Sequence, residues 1–522
     1  MIGGAAGQGT GKTAYLLGKA LVRAGLFVFN YRDYPSLIRG GHNFNILGIS
    51  DKPLASYSEE LDLLVALDQL TIDLHKKNLK KTGRILADVP EGVEGAAKNN
   101  VLLGEIYKLL GLPLESLAGV MAEEFPTKKE LIVKALEKGY GLVDKPMEGG
   151  KFNLTKGKKY FLTGNEAIAA GAVVAGLTHY FAYPMTPATS VFTYLEAHQQ
   201  ELGVKAVQLE NEIAVVNATI GASFAGGVSM CGTSGGGFDL MTEGISLAGM
   251  AEVPLVVYLA QRGGPSTGLP TYTSQADLKM ALSAGHGEFV RLVVAPGDAG
   301  EAFRRVQEAI FLAKKYGAAA IILGDKHMGE DHFTVEELDK VGMNFGTAAV
   351  LGSGRIVRAS GYEHDEKGMT VEDEVWPVRM ADRRLGKMRL IEKEVAKMEP
   401  VTVYGKGKKL LIGWGSTKGA VVDALPGLPD WRFLQISWIS PFPTVRVKTE
   451  IEKAAKVVLI EGNATGQMGE VIAQNTGVII KDKILKYNGR AFTPDEVIRR
   501  ISNFQFLNYK QILNHKHVDQ QV

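Results

Sequence analysis

A pair of acidic residues ahead of an apolar segment is the first place in this sequence where the side chains suit chemistry. Glu210 and Glu212 flank Asn211, and residues 213–226 that follow are apolar and rich in alanine and glycine, as in a closely packed helix. A buried carboxylate costs free energy unless it has a partner or a function, so a glutamate at this position is a candidate functional residue. The alternative is a carboxylate stabilised by the helix dipole, which is the more ordinary interpretation of this feature taken alone.

An arginine at the end of a predicted strand suits an anionic ligand. The apolar run Leu255–Ala260 is typical of a buried strand, and Arg262 follows it in the glycine-rich stretch 261–271. Wound α/β sheets bind ligands at the carboxyl ends of their strands, and a planar guanidinium matches a carboxylate. Arg262 is therefore a candidate substrate-binding residue, with an ordinary surface arginine as the alternative.

Two loops near these clusters present hydroxyl groups. The two prolines of Tyr183–Pro187 restrict the backbone around Thr186. Thr233 and Ser234 precede the glycines at 235–237, which allow a ligand to approach the backbone closely. The alternatives are a rigid turn and a flexible turn without ligands. The four clusters lie between residues 183 and 277, and their order and spacing together are a stronger signal than any one of them.

The glycine-rich start of the chain nearly spells a phosphate-binding loop. Residues 6–13 read Ala-Gly-Gln-Gly-Thr-Gly-Lys-Thr, in which Lys12 and Thr13 would contact phosphates and magnesium. Hardly any strand is expected before the loop, a gap that a true start upstream would also explain. Asp68 and Asp88 are weak candidates for a magnesium-binding aspartate, so nucleotide hydrolysis is disfavoured. Free amides at a helix start still suit an anionic group, with a tight turn without a ligand as the alternative.

A second loop lies downstream in the same region. Residues 34–42 read Tyr-Pro-Ser-Leu-Ile-Arg-Gly-Gly-His, and the proline and paired glycines mark a loop. Ser36 and Arg39 would there meet an anionic ligand or a partner chain.

The bulk composition excludes several classes of function. The chain has 59 basic and 57 acidic residues and a net charge of +2, which leaves no electrostatic footprint for nucleic acid or an anionic membrane. An iron–sulfur cluster needs about four thiolates, whereas Cys231 is the only cysteine, so any cluster must be held by another chain. No metal site is expected here. Without an apolar run of membrane-spanning length or a secretory signal, a cytoplasmic location is expected.

Alternating strand and helix patterns predict an α/β fold with three wound domains. The predicted domains cover residues 1–150, 158–330 and 401–505, with a linker near 143–160 and a connecting segment at 331–400. The strand candidates are Leu26–Phe29, Leu63–Leu67, Gly83–Val89, Leu255–Ala260, Val290–Ala295, Ala318–Leu323, Leu410–Ile412, Phe433–Ile436 and Val457–Ile460. The second domain would carry the four clusters on its loops.

The series of motifs resembles one enzyme family, the α subunits of 2-oxoacid:ferredoxin oxidoreductases, in which isoleucine stands at the position of Met185. The similar motifs are Tyr-Pro-Met-Thr-Pro (183–187), Glu-x-Glu-Ile-Ala (210–214), Thr-Ser-Gly-Gly-Gly (233–237) and Gln-Arg-Gly-Gly-Pro-Ser-Thr-Gly-Leu-Pro-Thr (261–271). Others are Gly-Tyr-Glu-His-Asp (361–365), Ile-Ser-Pro-Phe-Pro (439–443), Glu-Gly-Asn-Ala-Thr-Gly-Gln (461–467) and Asn-Gly-Arg (488–490). The three domains then resemble an N-terminally fused γ domain, a pyrimidine-binding domain of the thiamine-diphosphate type and a transketolase-C-like domain.

The resemblance implies roles for individual residues. Glu212 would be the catalytic residue, placing a carboxylic proton at N1′ of the aminopyrimidine of thiamine diphosphate, and Glu210 fits this role less well. The 2-oxoacid would be bound by Tyr183, Thr186, Arg262 and Thr267. The cofactor would be contacted by Thr233, Ser234 and Gly235. The region near coenzyme A would include Gly7, Gly9, Gly11, Arg39, Gly40 and His42.

The resemblance also implies a partner. Thiamine enzymes bind the diphosphate and its magnesium with a Gly-Asp-Gly…Asn stretch, whereas this sequence has Gly-Asp only at 297–298 and 324–325. A β subunit would bring the diphosphate site, Mg²⁺ and a [4Fe–4S] cluster, in an αβ or α₂β₂ assembly. The implied reaction is the oxidative decarboxylation of a 2-oxoacid to acyl-CoA and CO₂, with coenzyme A as co-substrate and ferredoxin as electron acceptor.

The sequence leaves the substrate and two other classes of protein open. Pyruvate, 2-oxoglutarate and branched 2-oxoacids all fit. The alternatives are a subunit of a non-oxidative thiamine enzyme, such as a decarboxylase or half of a transketolase, and a non-catalytic scaffold that keeps only the fold.

Overall fold

The computed structural model describes residues 1–35, 41–91, 93, 95–342, 351, 354 and 360–506. They form three β-sheets with helices packed on them, named here the first, central and third sheets in chain order. The predicted α/β fold is therefore confirmed. Within these residues, no helix is both long and apolar enough to cross a membrane.

The first part of the chain alternates short strands with helices. Its elements are β1 (Ile2–Ala5), α1 (Thr10–Arg23), β2 (Phe27–Asp33), β3 (His42–Ser50), β4 (Leu61–Ala66), α2 (Gln69–His75), β5 (Leu79–Leu86), α3 (Ala96–Leu109), α4 (Glu115–Glu124) and α5 (Lys129–Gly141).

The middle part repeats a strand–helix unit several times. Its elements are β6 (Tyr160–Thr163), α6 (Gly164–Val174), β7 (His179–Ala182), α7 (Thr189–Ala197), α8 (Gln199–Leu202), β8 (Lys205–Gln208), α9 (Glu212–Phe224), β9 (Ser229–Thr233), α10 (Gly235–Ala251), β10 (Leu255–Gln261), α11 (Leu278–Ser283), β11 (Arg291–Val294), α12 (Ala299–Tyr316), β12 (Ala319–Asp325), α13 (Lys326–Glu330) and β13 (His332–Val335).

The last part begins with a long helix and continues as a smaller α/β unit, the third unit. Its elements are α14 (Trp376–Val395), β14 (Val401–Tyr404), β15 (Lys409–Trp414), α15 (Thr417–Ala424), β16 (Trp431–Ile436), β17 (Trp438–Ser440), α16 (Thr444–Glu452), β18 (Lys456–Glu461), α17 (Gln467–Thr476), β19 (Lys483–Leu485) and α18 (Pro494–Phe506).

The central sheet is mostly parallel and buried on both faces. Its strand order is β17-β11-β12-β10-β9-β7-β8, and each neighbouring pair from β11 to β8 is parallel. Every residue of β10 is buried, as a parallel sheet covered by helices requires. Val256 and Tyr258 belong to the core that includes α6 and α12, whereas Val257 and Leu259 belong to the core that includes α9 and α10.

The first sheet corrects one expectation from the sequence. Its order is β5-β4-β1-β3-β2-β13-β6, with β1 parallel to β4 and antiparallel to β3. The glycine loop therefore does follow a strand, Ile2–Ala5, although hardly any strand is expected there from the sequence. The two glycines of β1 have no side chains to pack in the core, so the strand is held in place by backbone pairing with β3 and β4 on its two sides.

Strands from one part of the chain complete sheets of another part. β6 and β13 pair with each other, and His332 of β13 pairs with Asn30 of β2 in the first sheet. β17 adds antiparallel to β11 at the edge of the central sheet. The third sheet, β14-β16-β15-β18-β19, lies in the third unit. Residues 331–400, expected to be a weakly patterned connecting segment, thus carry a strand of the first sheet and the 20-residue helix α14.

Candidate active site

The four clusters identified in the sequence lie at one edge of the central sheet. β7, β8, β9 and β10 are consecutive neighbours, and the clusters follow their carboxyl ends at 183–187, 210–212, 233–237 and 261–271. The carboxyl ends of neighbouring parallel strands lie at the same edge, where wound sheets bind ligands.

Glu212 carries a buried carboxyl group at the start of α9. It is the first residue of α9, whose start is capped by Asn211, with the Ala214 amide donating to Asn211 Oδ1 at 2.9 Å. The Glu212 side chain is only 3% exposed, and its Oε1 has no hydrogen-bond partner among the described residues. Buried polar atoms are nearly always paired, so this oxygen suits a hydrogen bond to a bound ligand.

The first turn of α10 packs directly against this carboxyl group. A Cβ added to Gly237 would come closer than 3.0 Å to Glu212 Oε1 and Thr233 Oγ1. Glycine is therefore required for the contact. Ser234, which precedes the helix, is fully buried, and no partner for its Oγ is found in the described part of the chain. The Glu212 carboxyl group thus lies against the first turn of α10, and the buried hydroxyl of Ser234 immediately precedes that turn, where the amides of a helix start suit a polar or anionic group.

Arg262 lies beside the proline-rich loop. Its Nη1 donates to the backbone oxygen of Thr186 at 2.8 Å, and burial lowers the pKa of the guanidinium. The structure thus brings these two predicted substrate-binding residues together. Tyr183 is 37% exposed and Thr267 is exposed as well, and within the described residues neither has a hydrogen bond to the other predicted site residues.

A second acidic residue at this edge did not appear among the predicted site residues. Asp277 Oδ2 lies 3.1 Å from the position of a Cβ added to Gly235, and the Asp277 amide donates to Gln261 Oε1 at 2.9 Å. Burial, together with the charge of Asp239, raises the pKa of Asp277 to about 6. Its only signal in the sequence is its place in the loop that carries Arg262.

The N-terminal glycine loop forms a helix start with free amides. Gly9 adopts a left-handed conformation with φ of 81° just before α1, and no side-chain cap of that helix is found in the described part of the chain. Lys12 forms an ion pair with Glu124 and is about half exposed. Asp68, one of the weak candidates for binding magnesium, caps α2 through the Thr71 amide at 2.9 Å.

Two histidines lie next to this loop. His42 Nε2 and His75 Nε2 are 2.7 Å apart, and burial lowers the pKa of both side chains, that of His75 to about 4. The loop at 34–42 otherwise remains largely outside the described residues, which include neither Arg39 nor Gly40.

The strand that leads into this second loop lies against the carboxyl edge of the central sheet. The Arg32 amide donates to Asp331 Oδ1 at 2.9 Å, and the Tyr34 hydroxyl donates to Glu330 Oε2 at 2.6 Å. Both acidic residues follow β12, a neighbour of β10. The end of β2 is thereby held at the side of the sheet that carries Glu212 and Arg262.

Comparisons with known proteins agree with the geometry. A family described as "Pyruvate flavodoxin/ferredoxin oxidoreductase, thiamine diP-bdg" matches residues 170–376, and one described as "Pyruvate ferredoxin/flavodoxin oxidoreductase" matches residues 1–96. A 2-oxoacid:ferredoxin oxidoreductase subunit alpha from a Sulfolobus species is 32% identical over 95% of this chain and 95% of the relative. The chain belongs to the 2-oxoacid:ferredoxin oxidoreductase α subunits.

Further relatives extend the comparison. A 2-oxoglutarate synthase subunit KorA from Methanothermobacter thermautotrophicus is 28% identical, over 66% of this chain and 98% of the relative. The solved structure of a 2-oxoglutarate:ferredoxin oxidoreductase from Magnetococcus marinus, with 2-oxoglutarate, coenzyme A and succinyl-CoA bound, matches with a TM-score of 0.85 and 26% identity. It covers 96% of this chain and 98% of that one. The family and the oxidoreductase class predicted from the sequence are confirmed.

Proposed function

We propose that this α subunit binds a 2-oxoacid and the pyrimidine half of thiamine diphosphate in an enzyme that converts the 2-oxoacid and coenzyme A to acyl-CoA and CO₂. Two electrons leave the substrate one at a time for ferredoxin. The observation that carries the proposal is the buried Oε1 of Glu212, which packs against the first turn of α10 and has no hydrogen-bond partner among the described residues. It lies on the same sheet edge as Thr186 and Arg262.

The donor set at this point fits an aminopyrimidine. Glu212 Oε1 is free to hold a proton against a ring nitrogen, which Glu210, exposed one residue before the cap, is not positioned to do. Ser234 Oγ offers a second polar contact, and Thr233 and Gly235 border the same turn. Thiamine diphosphate supplies, when bound, a nucleophilic carbon for attack on the 2-oxo group.

Arg262 and Thr186 fit the substrate. A guanidinium has five N–H donors, and one of those of Arg262 is used by the Thr186 oxygen. The remaining donors suit the carboxylate of a 2-oxoacid. The partial burial of the guanidinium strengthens its attraction to that carboxylate. Thr186 would orient the oxo group, and Tyr183 and Thr267 would complete the exposed rim of the site.

The diphosphate half of the cofactor site belongs to a β subunit. Both Gly-Asp pairs serve other roles, because Asp298 caps α12 through the Glu301 amide and Asp325 accepts from Ser416 Oγ at 2.6 Å. An exposed apolar surface lies on the two helices that border the site: Ile213 of α9 and Leu240 and Leu247 of α10 are 48%, 49% and 38% exposed. This helix surface suits a partner chain carrying Mg²⁺ and an iron–sulfur cluster.

The N-terminal unit is proposed to bind coenzyme A. The uncapped start of α1 suits an anionic group, so Gly7, Gly9 and Gly11 would approach its phosphates, with His42 and the loop bearing Arg39 and Gly40 nearby. The domain limits 1–150, 158–330 and 401–505, a cytoplasmic location and an αβ or α₂β₂ assembly remain predictions.

One experiment separates the candidate functions. The chain is co-purified with its β subunit, and anaerobic reduction of a viologen dye is followed with coenzyme A and a panel of 2-oxoacids. Dye reduction that depends on both substrates supports the proposal. CO₂ release without dye reduction would favour a non-oxidative thiamine enzyme, and no turnover with any 2-oxoacid would favour a scaffold.

A further inference from the structure

Two motifs of the third unit lie against the loop that carries Arg262. This loop, residues 262–277, connects β10 to α11 and is named here the β10–α11 loop. The motifs are Glu-Gly-Asn-Ala-Thr-Gly-Gln at 461–467 and Asn-Gly-Arg at 488–490. Neither motif contributes to the proposed chemistry, although both contact the loop that must hold the substrate arginine.

Gln275 fixes the end of the β10–α11 loop to the first of these motifs. The residue is 2% exposed. Its Nε2 donates to the Trp414 oxygen at 2.8 Å, and its Oε1 accepts from the Gly462 amide at 2.7 Å. Its backbone amide donates to the Gly462 oxygen at 2.9 Å, and its backbone oxygen accepts from Asn463 Nδ2 at 3.0 Å. The side chain, the backbone amide and the backbone oxygen of Gln275 thus all form hydrogen bonds with residues of the third unit.

Tyr272 fixes the middle of the loop to the second motif. The Arg490 guanidinium lies 3.8 Å from the centre of the Tyr272 ring, and the Thr273 amide donates to the Gly489 oxygen at 3.2 Å. Gly489 has a φ of 77°, and a Cβ there would lie 3.0 Å from Tyr272 Cβ. A glycine is thus needed for this close approach.

These contacts reach Arg262 through the backbone. The Tyr272 oxygen accepts from the Gly263 amide at 3.3 Å, and the Gly263 oxygen accepts from the Leu269 amide at 2.6 Å. Gly263 is the neighbour of Arg262 in the chain. A shift of Tyr272 would therefore displace the backbone from which the arginine side chain extends.

The other end of the loop is held by the central sheet. Gln261 is fully buried, its Nε2 donates to the Gly324 oxygen at 3.0 Å, and its Oε1 accepts from the Asp277 amide. The Asp277 end of the loop is therefore tied to the central sheet through Gln261, and the His327 amide after β12 donates to Thr273 Oγ1 at 3.4 Å. The contacts of Tyr272 and Gln275 described above come instead from the third unit.

We propose that the third unit positions Arg262 for the substrate carboxylate, with Gln275 and the stacked Tyr272–Arg490 pair as positioning residues that set the affinity for the 2-oxoacid. This inference rests on the proposed role of Arg262. It assigns to the third unit a part in substrate recognition.

The test measures initial rates of dye reduction by the complex with the β subunit, using the best 2-oxoacid of the panel. Gln275→Ala should raise the KM for the 2-oxoacid about tenfold, the size expected when hydrogen bonds that hold a charged group are lost. The kcat and the KM for coenzyme A should stay within about twofold, because the arginine binds ground state and transition state alike.

Gln275→Glu should make the KM for the 2-oxoacid depend on pH, which a loss of packing alone would not do. An ionised carboxylate facing the Trp414 oxygen is repelled, whereas a protonated one donates to it as the amide does. Burial raises the pKa of such a group, so the KM for the 2-oxoacid should be close to that of the parent at pH 6 and about tenfold higher at pH 8.5.

Two further variants make the result decisive. Gln435→Ala removes another buried glutamine of the third unit, which accepts from Tyr404 within that unit and donates to Glu301 of α12, away from the β10–α11 loop. This variant should leave the KM unchanged. Arg262→Gln should raise the KM for the 2-oxoacid; if it does not, the proposed substrate site itself is wrong. A raised KM in Arg262→Gln with an unchanged KM in both Gln275 variants, or a rise in Gln435→Ala equal to that in Gln275→Ala, would overturn the positioning role alone.

Discussion

At the scale of single residues, Glu212 is a buried group that we expect to contribute to catalysis and not to the stability of the fold. A buried carboxyl group usually stabilises the fold only through its partners, and Oε1 of this residue has none among the described residues. A bound ligand would supply the missing partner of this oxygen.

Glu212→Gln should reduce turnover by about 10²- to 10⁴-fold, the usual contribution of a positioned proton donor. The free energy of unfolding should not fall, because no protein hydrogen bond to Oε1 is lost. Dye reduction by the complex and chemical denaturation of the isolated chain measure the two quantities. Glu210→Gln, which changes an exposed carboxylate two residues away, is the control and should retain full turnover; equal losses in the two variants would contradict the assignment.

Asp277 gives a pH dependence of stability whose sign is fixed by its raised pKa. The folded protein holds the proton to about pH 6, whereas the unfolded chain releases it near 3.8. The folded state therefore binds more protons between these values, and the free energy of unfolding falls as the pH rises through this window. Above pH 6 the penalty is constant, at about 1–3 kcal/mol.

Asp277→Asn should remove that penalty. The stability of the variant relative to the parent should increase from pH 4 to pH 6 and then stay level, as measured by denaturant titrations at each pH. A difference that grows instead between pH 7 and pH 9 would be incompatible with the raised pKa.

The residues of the site were predictable where their type alone is informative. Glu212 and Arg262 stand out because a charge next to buried apolar segments needs a reason. Asp277 could not be recognised in the same way, since its environment depends on contact with Gly235 at the end of a different strand.

At the scale of elements, the first turn of α10 contains two adjacent glycines, Gly236 and Gly237, whose surroundings differ. A Cβ on Gly237 would overlap the Glu212 carboxyl group, whereas a Cβ on Gly236 would meet nothing within 4 Å. The same substitution at these neighbours therefore isolates the contact from the general effect of alanine in a helix.

Gly237→Ala should lower the free energy of unfolding by about 1–3 kcal/mol, as overpacking does, and should weaken turnover by displacing Glu212. Gly236→Ala should be neutral or stabilise by up to about 1 kcal/mol, since alanine favours helix. Thermal unfolding of the chain and dye reduction by the complex provide the measurements. Similar behaviour of the two variants would mean that the close packing of α10 on Glu212 is not essential.

Whether a helix or strand could be predicted from the sequence depended on whether it is held in place by large apolar side chains or by other contacts. β10 was predicted because all its residues are buried and apolar. β1 was not, because its Ile-Gly-Gly-Ala sequence gains its place from pairing with β3 and β4 rather than from large side chains. α14 was missed for a related reason, since only Met380, Arg384, Ile391 and Val395 of its 20 residues are buried.

At the scale of the whole molecule, the exposed apolar side chains of Ile213, Leu240 and Leu247 are the proposed contact with a β subunit. Leu240→Asp would place a charge in the proposed interface and should weaken assembly at least 30-fold, the effect of a residue worth about 2 kcal/mol. Co-purification with a tagged β subunit measures it. Leu131→Asp changes a leucine of α5 that is 69% exposed and should assemble normally; assembly of both variants would place the interface elsewhere.

β13 lies between β2 and β6 in the first sheet, which has a consequence for the covalent continuity of the chain. The link between the first two parts runs through residues 142–159, where no helix or strand is described. The contacts between the two parts in the first sheet are non-covalent, and they include strand pairing and the packing of aromatic rings such as Phe29 on Phe333. The covalent link does not form the contact between the two parts. It raises the effective concentration of each part near the other, to the order of millimolar for a short flexible connection. Dilution, which separates subunits held only by mass action, therefore leaves these two parts joined.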